Sequence, residues 1–446
     1  LLLIEGLTMS QFRLARLSLL LAAIGLNVLP ALSHAQDAKP AAAAGAPAAA
    51  PADSVRPEVF KLLDPAAVKA SMDAKNYADV QSRIDQTAAI PALTPYELFV
   101  LNRLRVALAS TTNNAPMAMT ALEAVIESGK LDKKAQGDFI QALANYHYNA
   151  KDYPNAIKWF TRYQTETGDV ASVRPYIIRA YYFSNDFARA KQELMADLTA
   201  KQQAGKTPTI EELQLLANTG SKSKDPATYL VAMENLVRYY PSDDYWSDLL
   251  SRTQGKAGYS DRFALDVLRL QFKAVGTMPP QDYSDMAEIA LQNAFPTEAK
   301  KVLDAGFAKG VLGTGANAAK HKKLRDQANK AAADDAKNIA SGEASAMKSK
   351  DGTGLINLGY AFVTMDQFDK GIDLIQKGIA KGGLKRPEDA KLRLGYSYAM
   401  AGKKDDAIKV LETVKGGDGV GDLARYWILW LNRPATAAAA PAAAAQ

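Results

Sequence analysis

"FPTEAKKVLDAGFAKGVL" spans Phe295 to Leu312, and "FDKGIDLIQKGIAKGGL" spans Phe368 to Leu384. Both close on Gly-x-Ala-Lys-Gly-x-Leu, with Gly306 and Gly378 standing 72 positions apart. A string repeated in this way marks two equivalent helix ends. Gly310 and Gly382 suit the left-handed cap that follows a helix. Gly306 and Gly378 suit a close helix approach, and Leu312 and Leu384 are placed to fold back on the helix just ended.

The same logic extends outward at half that interval. "LGYAFVTMDQFDKGIDLIQKGI" from Leu358 lies over "LGYSYAMAGKKDDAIKVLETVK" from Leu394 at a shift of 36. Further upstream, "YHYNAKDYPNAIKWFTRY" lies over "AYYFSNDFARAKQELMAD", with Ala156 and Ala190 34 apart, Tyr153 over Phe187 and Phe160 over Leu194. A fixed period of this length signals stacked supersecondary units.

These motifs resemble the tetratricopeptide repeat, a unit of two antiparallel helices with a Leu-Gly pair and an aromatic in the first helix and a small residue opening the second. The small residue lets the helices cross closely. By that key the small positions fall at Val80, Ala121, Ala156, Ala190, Ala232, Asp266, Ala299, Gly371 and Ala407. The resemblance implies an all-α fold, a right-handed α-solenoid of about nine to ten helix pairs over 55–433. It is strongest at 137–200 and 352–416. Several phrases also resemble uncharacterised proteobacterial periplasmic repeat proteins, some encoded near TonB-type energy-transduction components; that implies an accessory role in an envelope complex. Between Ala316 and Ser341 no Gly or Pro intervenes, so local propensity asks for one helix. Repeat phase, which we weight more, asks for a turn near Asn329.

The 446 residues exceed one ordinary compact core. Formal charge is +6, mixed in sign along the chain, without the clustering a nucleic-acid surface needs. There is no cysteine, which excludes disulfides, thiolate metal sites and a cysteine nucleophile. From Met9, Arg13 and Arg16 precede the apolar run Leu17–Leu29, and Ser33-His34-Ala35 offers a cleavage site. This is the layout of a secretory signal peptide over 1–35, implying a periplasmic protein with no transmembrane span in the mature chain. The Ala/Pro-rich stretches 36–54 and 434–446 read as disordered tethers.

Chemistry is sparse. His147 and His321 lie 174 residues apart, and in an open solenoid distant repeats do not touch, so neither a Ser-His-Asp triad nor a two-histidine metal site is expected. His147 sits among tyrosines and reads as structural; His321, in a lysine-rich helix, reads as solvated. Glu127-Ser128 resembles the Glu-Ser of lytic transglycosylases, but the companion segments of those enzymes are missing, leaving Glu127 as a surface acid. "GVLGTGAN" (310–317) has glycines before a helix but no preceding strand and no Lys-Ser/Thr, against a nucleotide cradle. "KHKKLRDQANK" (320–330) reads as a solvated basic face.

What remains is a concave groove lined by the first helix of each pair. Repeat register places Asn145, Tyr148 and Asn149, then Arg179, Tyr182 and Phe183, then Glu288, Asn357, Tyr360, Arg393 and Tyr396 along it. Tyr, Arg and Asn make a fair ligand-facing set, although tyrosine also packs between repeats. The ordered Lys and Asn pattern of a two-carboxylate clamp is absent. The reading is therefore a non-enzymatic scaffold that binds a protein or peptide, with no cofactor, no metal and no nucleic acid, its oligomeric state open. The alternative is an enzyme acting on cell-wall glycan, or a regulator of one.

Overall fold

The structure is a computed structural model, and it describes residues 53–434. The signal peptide and nearly all of both tethers read from the sequence lie outside the described residues. Among those described there are 22 α-helices and no strand. The chain divides into two units, the first ending at Ala190 and the second beginning at Lys191. The sequence reading had one array over 55–433.

In the first unit a short α1 (Pro57–Leu62) precedes α2 (Pro65–Asp73) with α3 (Tyr77–Ala88), α4 (Pro95–Thr112) with α5 (Ala115–Glu127), α6 (Lys133–Asn149) with α7 (Tyr153–Thr167), and α8 (Arg174–Phe183). Helix α9 (Phe187–Gln203) runs across the boundary. The second unit continues with α10 (Ile210–Lys222) and α11 (Pro226–Tyr239), α12 (Asp243–Gln254) and α13 (Ala264–Ala274), then α14 (Pro280–Gln292) and α15 (Pro296–Ala308). It is completed by α16 (Ala318–Asn338), the short α17 (Gly342–Lys348), α18 (Thr353–Thr364) with α19 (Phe368–Lys381), α20 (Pro387–Met400) with α21 (Lys404–Leu411), and α22 (Val420–Leu431).

One local feature recurs down the chain and makes the repeat visible in the backbone. In eight pairs the residue two positions before the second helix is left-handed: Lys75, Asn113, Lys151, Asn185, Lys224, Ala294, Asp366 and Gly402, with φ between 56° and 73°. Four of them, Lys75, Lys151, Lys224 and Ala294, are of types that rarely take this conformation, so those turns are held there against local preference by the packing of the two helices they join. Eight of the nine small positions are buried, as the repeat key requires; Asp266 is half-buried instead and pairs with Arg269 at 2.8 Å. Each unit is thus built of successive antiparallel helix pairs with the buried small residue that the repeat key expects.

The twin glycine strings share a positive-φ glycine near their ends but pack differently, and Gly382, with ψ at −154°, is not the left-handed helical cap expected of it. Gly310 and Gly382 both adopt positive φ. A Cβ on Gly306 would fall 2.7 Å from Leu312, which folds back and is buried. In the second string Gly378 meets backbone instead: a Cβ there would lie 2.7 Å from the Gly352 carbonyl oxygen, and Leu384 is only half-buried.

Helices α18 and α19 approach backbone to backbone. A Cβ on Gly359 would stand 2.5 Å from the Gly371 oxygen, and one on Gly371 the same distance from the Gly359 oxygen. Gly359→Ala should therefore destabilise the protein by about 1–3 kcal/mol, although helix propensity favours alanine by about 1 kcal/mol. Gly354→Ala, in the same helix but facing only ordinary contacts at 3.6 Å, should be neutral or stabilising. Urea denaturation of the two variants tests the difference in sign.

Two expectations are corrected here. Residues 318–338 form one helix without a turn near Asn329; uninterrupted Ala- and Lys-rich sequence outweighed repeat phase. Distant repeats do touch within the second unit. The C-terminal α22 packs against α20 and α21 and also against α11 and α13. Thr253 and Tyr426 hydroxyls lie 2.9 Å apart, Ser260 N–H donates to the Asp418 carbonyl, and Trp430 Nε1–H donates to the Lys273 carbonyl at 2.9 Å. Ion pairs Lys256–Asp422, Arg262–Asp389 and Arg425–Glu234 rim the seam. The second unit closes on itself.

The first unit is fastened at its start by a carboxylate. Thr94 and Glu97 form a reciprocal capping box on α4, with Pro95 in its first turn. The fully buried Glu97 also accepts from Arg56 N–H, Nε and Nη2, each at 2.9 Å to its nearer oxygen. Arg56 above all, with the backbone donors, holds Glu97 down at about 2 against the cost of burial. A depressed carboxylate stabilises the fold above its unfolded pKa of about 4.3, and that contribution is lost as pH falls through the folded value. With Arg56 partly exposed the effect is discounted to about 1–2 kcal/mol. Glu97→Gln should lower stability by that amount at about pH 6, and wild type and variant should converge near pH 2; equal curves at both pH values would contradict the pairing.

Candidate protein-interaction face

The eleven residues read as groove-lining, Phe183 among them, separate into two sets of opposite character, one in each unit. In the first unit, α6 and α8 carry Asn145, Tyr148, Asn149, Arg179 and Tyr182. Spacings of three and four residues on α6 and of three on α8 put Asn145, Tyr148 and Asn149 on one stripe and Tyr176, Arg179 and Tyr182 on another. The two stripes meet where Tyr148 packs edge-on against Tyr176, ring centroids 5.7 Å apart. Tyr148 is buried, and burial pushes its hydroxyl up to about 12 while the neighbouring Arg179 draws it back. Tyr176 and Tyr182 are also raised by burial.

Around them the polar groups are uncommitted. Among the described residues the side chains of Asn145, Asn149 and Arg179 have no hydrogen-bond or ion-pair partner, the first and third being half-buried and the second exposed. An aromatic row runs beside them. Tyr153 stacks on Phe183 at 5.6 Å, and Tyr182 meets Phe183 and Phe187 edge-on at 5.5 and 5.6 Å. Phe183 is 46% exposed, one of few large apolar side chains so open. A guanidinium without a carboxylate, two free carboxamides and exposed rings form a surface able to accept backbone groups and apolar or acidic side chains.

The second unit turns the same positions inward. Tyr360 and Tyr396, expected on a groove wall, are buried in the core. Arg269 explains why. It donates to both oxygens of Glu298 at 2.8 and 2.7 Å, to Asp266, and to the Tyr396 hydroxyl at 3.0 Å, and it lies 4.4 Å over the Tyr360 ring. Tyr360 in turn donates to Glu298 at 2.8 Å. Burial works against the Arg269 charge, but Glu298 outweighs it and keeps the guanidinium firmly protonated. Burial likewise raises the hydroxyls of Tyr360 and Tyr396. This network joins α13, α15, α18 and α20, so these tyrosines hold helices together and present nothing to a partner.

The other three residues are partly satisfied within the unit. Arg393 donates to Asn357 at 2.6 Å and rests against Phe295 and Tyr360, while Glu288 pairs with Lys320 at 3.4 Å. Sequence reading missed Arg269, Glu298 and Trp427. The available signal was an arginine inside the apolar run "FALDVLRLQF" with an aspartate three residues earlier, a pattern that asks for a buried acidic partner.

The remaining residues singled out in the sequence are also placed. His147 is half-buried, its Nδ1 2.9 Å from Asp152, the N-cap of α7. Glu127 lies on the surface in an ion pair with Arg162. His321 is buried rather than solvated, because α16 turns it onto the preceding loop, where its Nδ1 accepts from Gly313 N–H at 3.2 Å. No group of three or more potential metal ligands occurs among the described residues, and none of their helices is long and apolar enough to cross a membrane.

No protein-family model matches the chain, and no curated protein matches it. Among solved structures it is similar to the TPR2AB domain of yeast Sti1 in a pHSP90 complex, at 13% identity over 67% of this chain and 98% of that one, TM-score 0.23. It is also similar to yeast Tom70, at 12% identity over 84% and 94%, TM-score 0.22. A third is the P58(IPK) TPR domain, at 11% over 83% and 98%, TM-score 0.20. At such scores these neighbours carry no weight for function; the tandem helix-pair architecture stands on the chain's own recurring turns and buried small residues.

Proposed function

We propose that this protein is a periplasmic scaffold that binds an extended peptide segment of a partner protein through the α6/α8 face of its first unit. One observation carries the reading: Arg179, Asn145 and Asn149 are uncommitted beside the exposed Phe183–Tyr153 stack, whereas the equivalent residues of the second unit are occupied by one another. Periplasmic location rests on the signal-peptide layout of 9–35 alone, and an accessory role beside a TonB-type complex on the sequence resemblance alone.

The test is a peptide-library selection on the full chain, followed by affinity measurement of the enriched peptides. Arg179→Ala with Tyr182→Ala should weaken them about thirtyfold or more while leaving the helical circular-dichroism signal intact. Arg393→Ala with Asn357→Ala should leave them unchanged. Loss of binding in the second pair but not the first would move the site to the other unit. Release of fragments from purified sacculi by the wild-type chain would favour the glycan-processing alternative.

A further inference from the structure

Helix α16 carries two adjacent stripes. His321, Leu324, Ala328 and Ala332 are buried. Beside them Ala318, Lys322, Arg325 and Asn329, at helical spacings of four, three and four, face an open cleft of about 430 Å³ whose far wall is Phe307 at the end of α15. The cleft lies within the second unit and is independent of the peptide face on α6 and α8.

Its charges are arranged unusually. The Arg325 guanidinium is fixed in place, stacked 4.6 Å over the Phe307 ring and held on one edge by Asp304 through Nε and Nη2, both at 2.8 Å. Its remaining Nη1 edge is unengaged among the described residues. Lys322 and Asp326 also line the cleft, one turn apart, yet they form no ion pair with each other or with any described residue. A lysine one turn before an acid is the weaker orientation of such a pair on a helix, so both charges stay available to a third group. The Asn329 carboxamide, equally free, adds a donor and an acceptor one turn further on.

We propose that this cleft binds a small zwitterion, an amino acid or a dipeptide. Its carboxylate meets Lys322 and the free edge of Arg325, its ammonium meets Asp326, and its apolar part lies against Phe307 and Ala318. A rigid guanidinium is suited to a carboxylate because little side-chain entropy is lost on binding. Asp326 on the same wall disfavours a dianion such as phosphate. The volume sits at the small end of the range of ligand sites, about 300–1,000 Å³, which suits such a ligand better than a folded segment.

Isothermal titration of the full chain with alanyl-alanine, acetate and inorganic phosphate tests this. The dipeptide should bind, and more tightly than acetate or phosphate. Lys322→Ala should weaken it about tenfold or more, and Asp326→Asn should weaken the dipeptide without weakening acetate. Both residues are exposed, so neither variant threatens the fold. Absence of dipeptide binding, tighter binding of phosphate, or dipeptide affinity unmoved by both variants would each overturn the proposal.

Discussion

Arg269→Ala should cost the protein about 3–5 kcal/mol, because it leaves the buried Glu298 carboxylate with the Tyr360 hydroxyl as its remaining side-chain partner. That is a large part of the roughly 5–15 kcal/mol by which a domain is stable. The cost lies in stranding a charge rather than in losing an attraction. Arg269→Met with Glu298→Leu should therefore recover most of it, since a buried pair replaced by apolar residues of similar volume is often nearly neutral. Urea denaturation followed by tryptophan fluorescence measures both; three of the four tryptophans, Trp246, Trp427 and Trp430, belong to the second unit. A single variant within about 0.5 kcal/mol of wild type, or a double variant no better than the single, would show that Arg269 and Glu298 do not form a buried pair.

Trp427→Ala should be about as severe, at roughly 3–5 kcal/mol. The indole is 1% exposed, stacks on Tyr396 at 5.7 Å and meets Trp430 edge-on at 5.5 Å. Its N–H has no partner among the described residues, so Trp427→Phe, which keeps the ring contact, should cost much less. The consequence of closure is specific. Because α22 packs on α11 and α13 as well as on α20 and α21, Trp427→Ala should raise amide hydrogen exchange in 226–274, more than 150 residues away in sequence. Faster exchange confined to 387–431 would mean that the seam contributes no cooperativity. Arg425→Ala removes a half-exposed rim pair with Glu234 and a contact with Asp422 that Lys256 still neutralises, so it should cost much less than Trp427→Ala, about 1 kcal/mol.

The two units show why one sequence register led to two outcomes. Tyr148 and Arg179 occupy repeat positions equivalent to those of Tyr360 and Arg393. Among the described residues no buried ion pair faces them on α6 and α8, so Arg179, Asn145 and Asn149 keep open valences. On α18 and α20 the same positions face Arg269 and Glu298, which arrive from α13 and α15 and take up the tyrosine hydroxyls.

The helix-pair repeat was legible in the chain alone: its period, the small residues at Ala156, Ala190, Ala299 and Ala407, and the paired glycines at 306/310 and 378/382. Those features act within about 34 residues, and local packing suffices to specify them. The left-handed turns at Lys75, Lys151 and Lys224 were not legible, because lysine has no preference for that conformation and adopts it only where two helices demand it. Nor were the self-closure of the second unit and the inward turn of Tyr360 and Tyr396. Both depend on contacts between residues 62 and more positions apart, such as Tyr360 with Glu298, Arg269 with Tyr396 and Thr253 with Tyr426, and no periodicity encodes which distant repeats will meet. Sequence determined the unit and its register; the tertiary structure decided which faces remain open to a partner, since only there do the distant charges and hydroxyls find, or fail to find, one another.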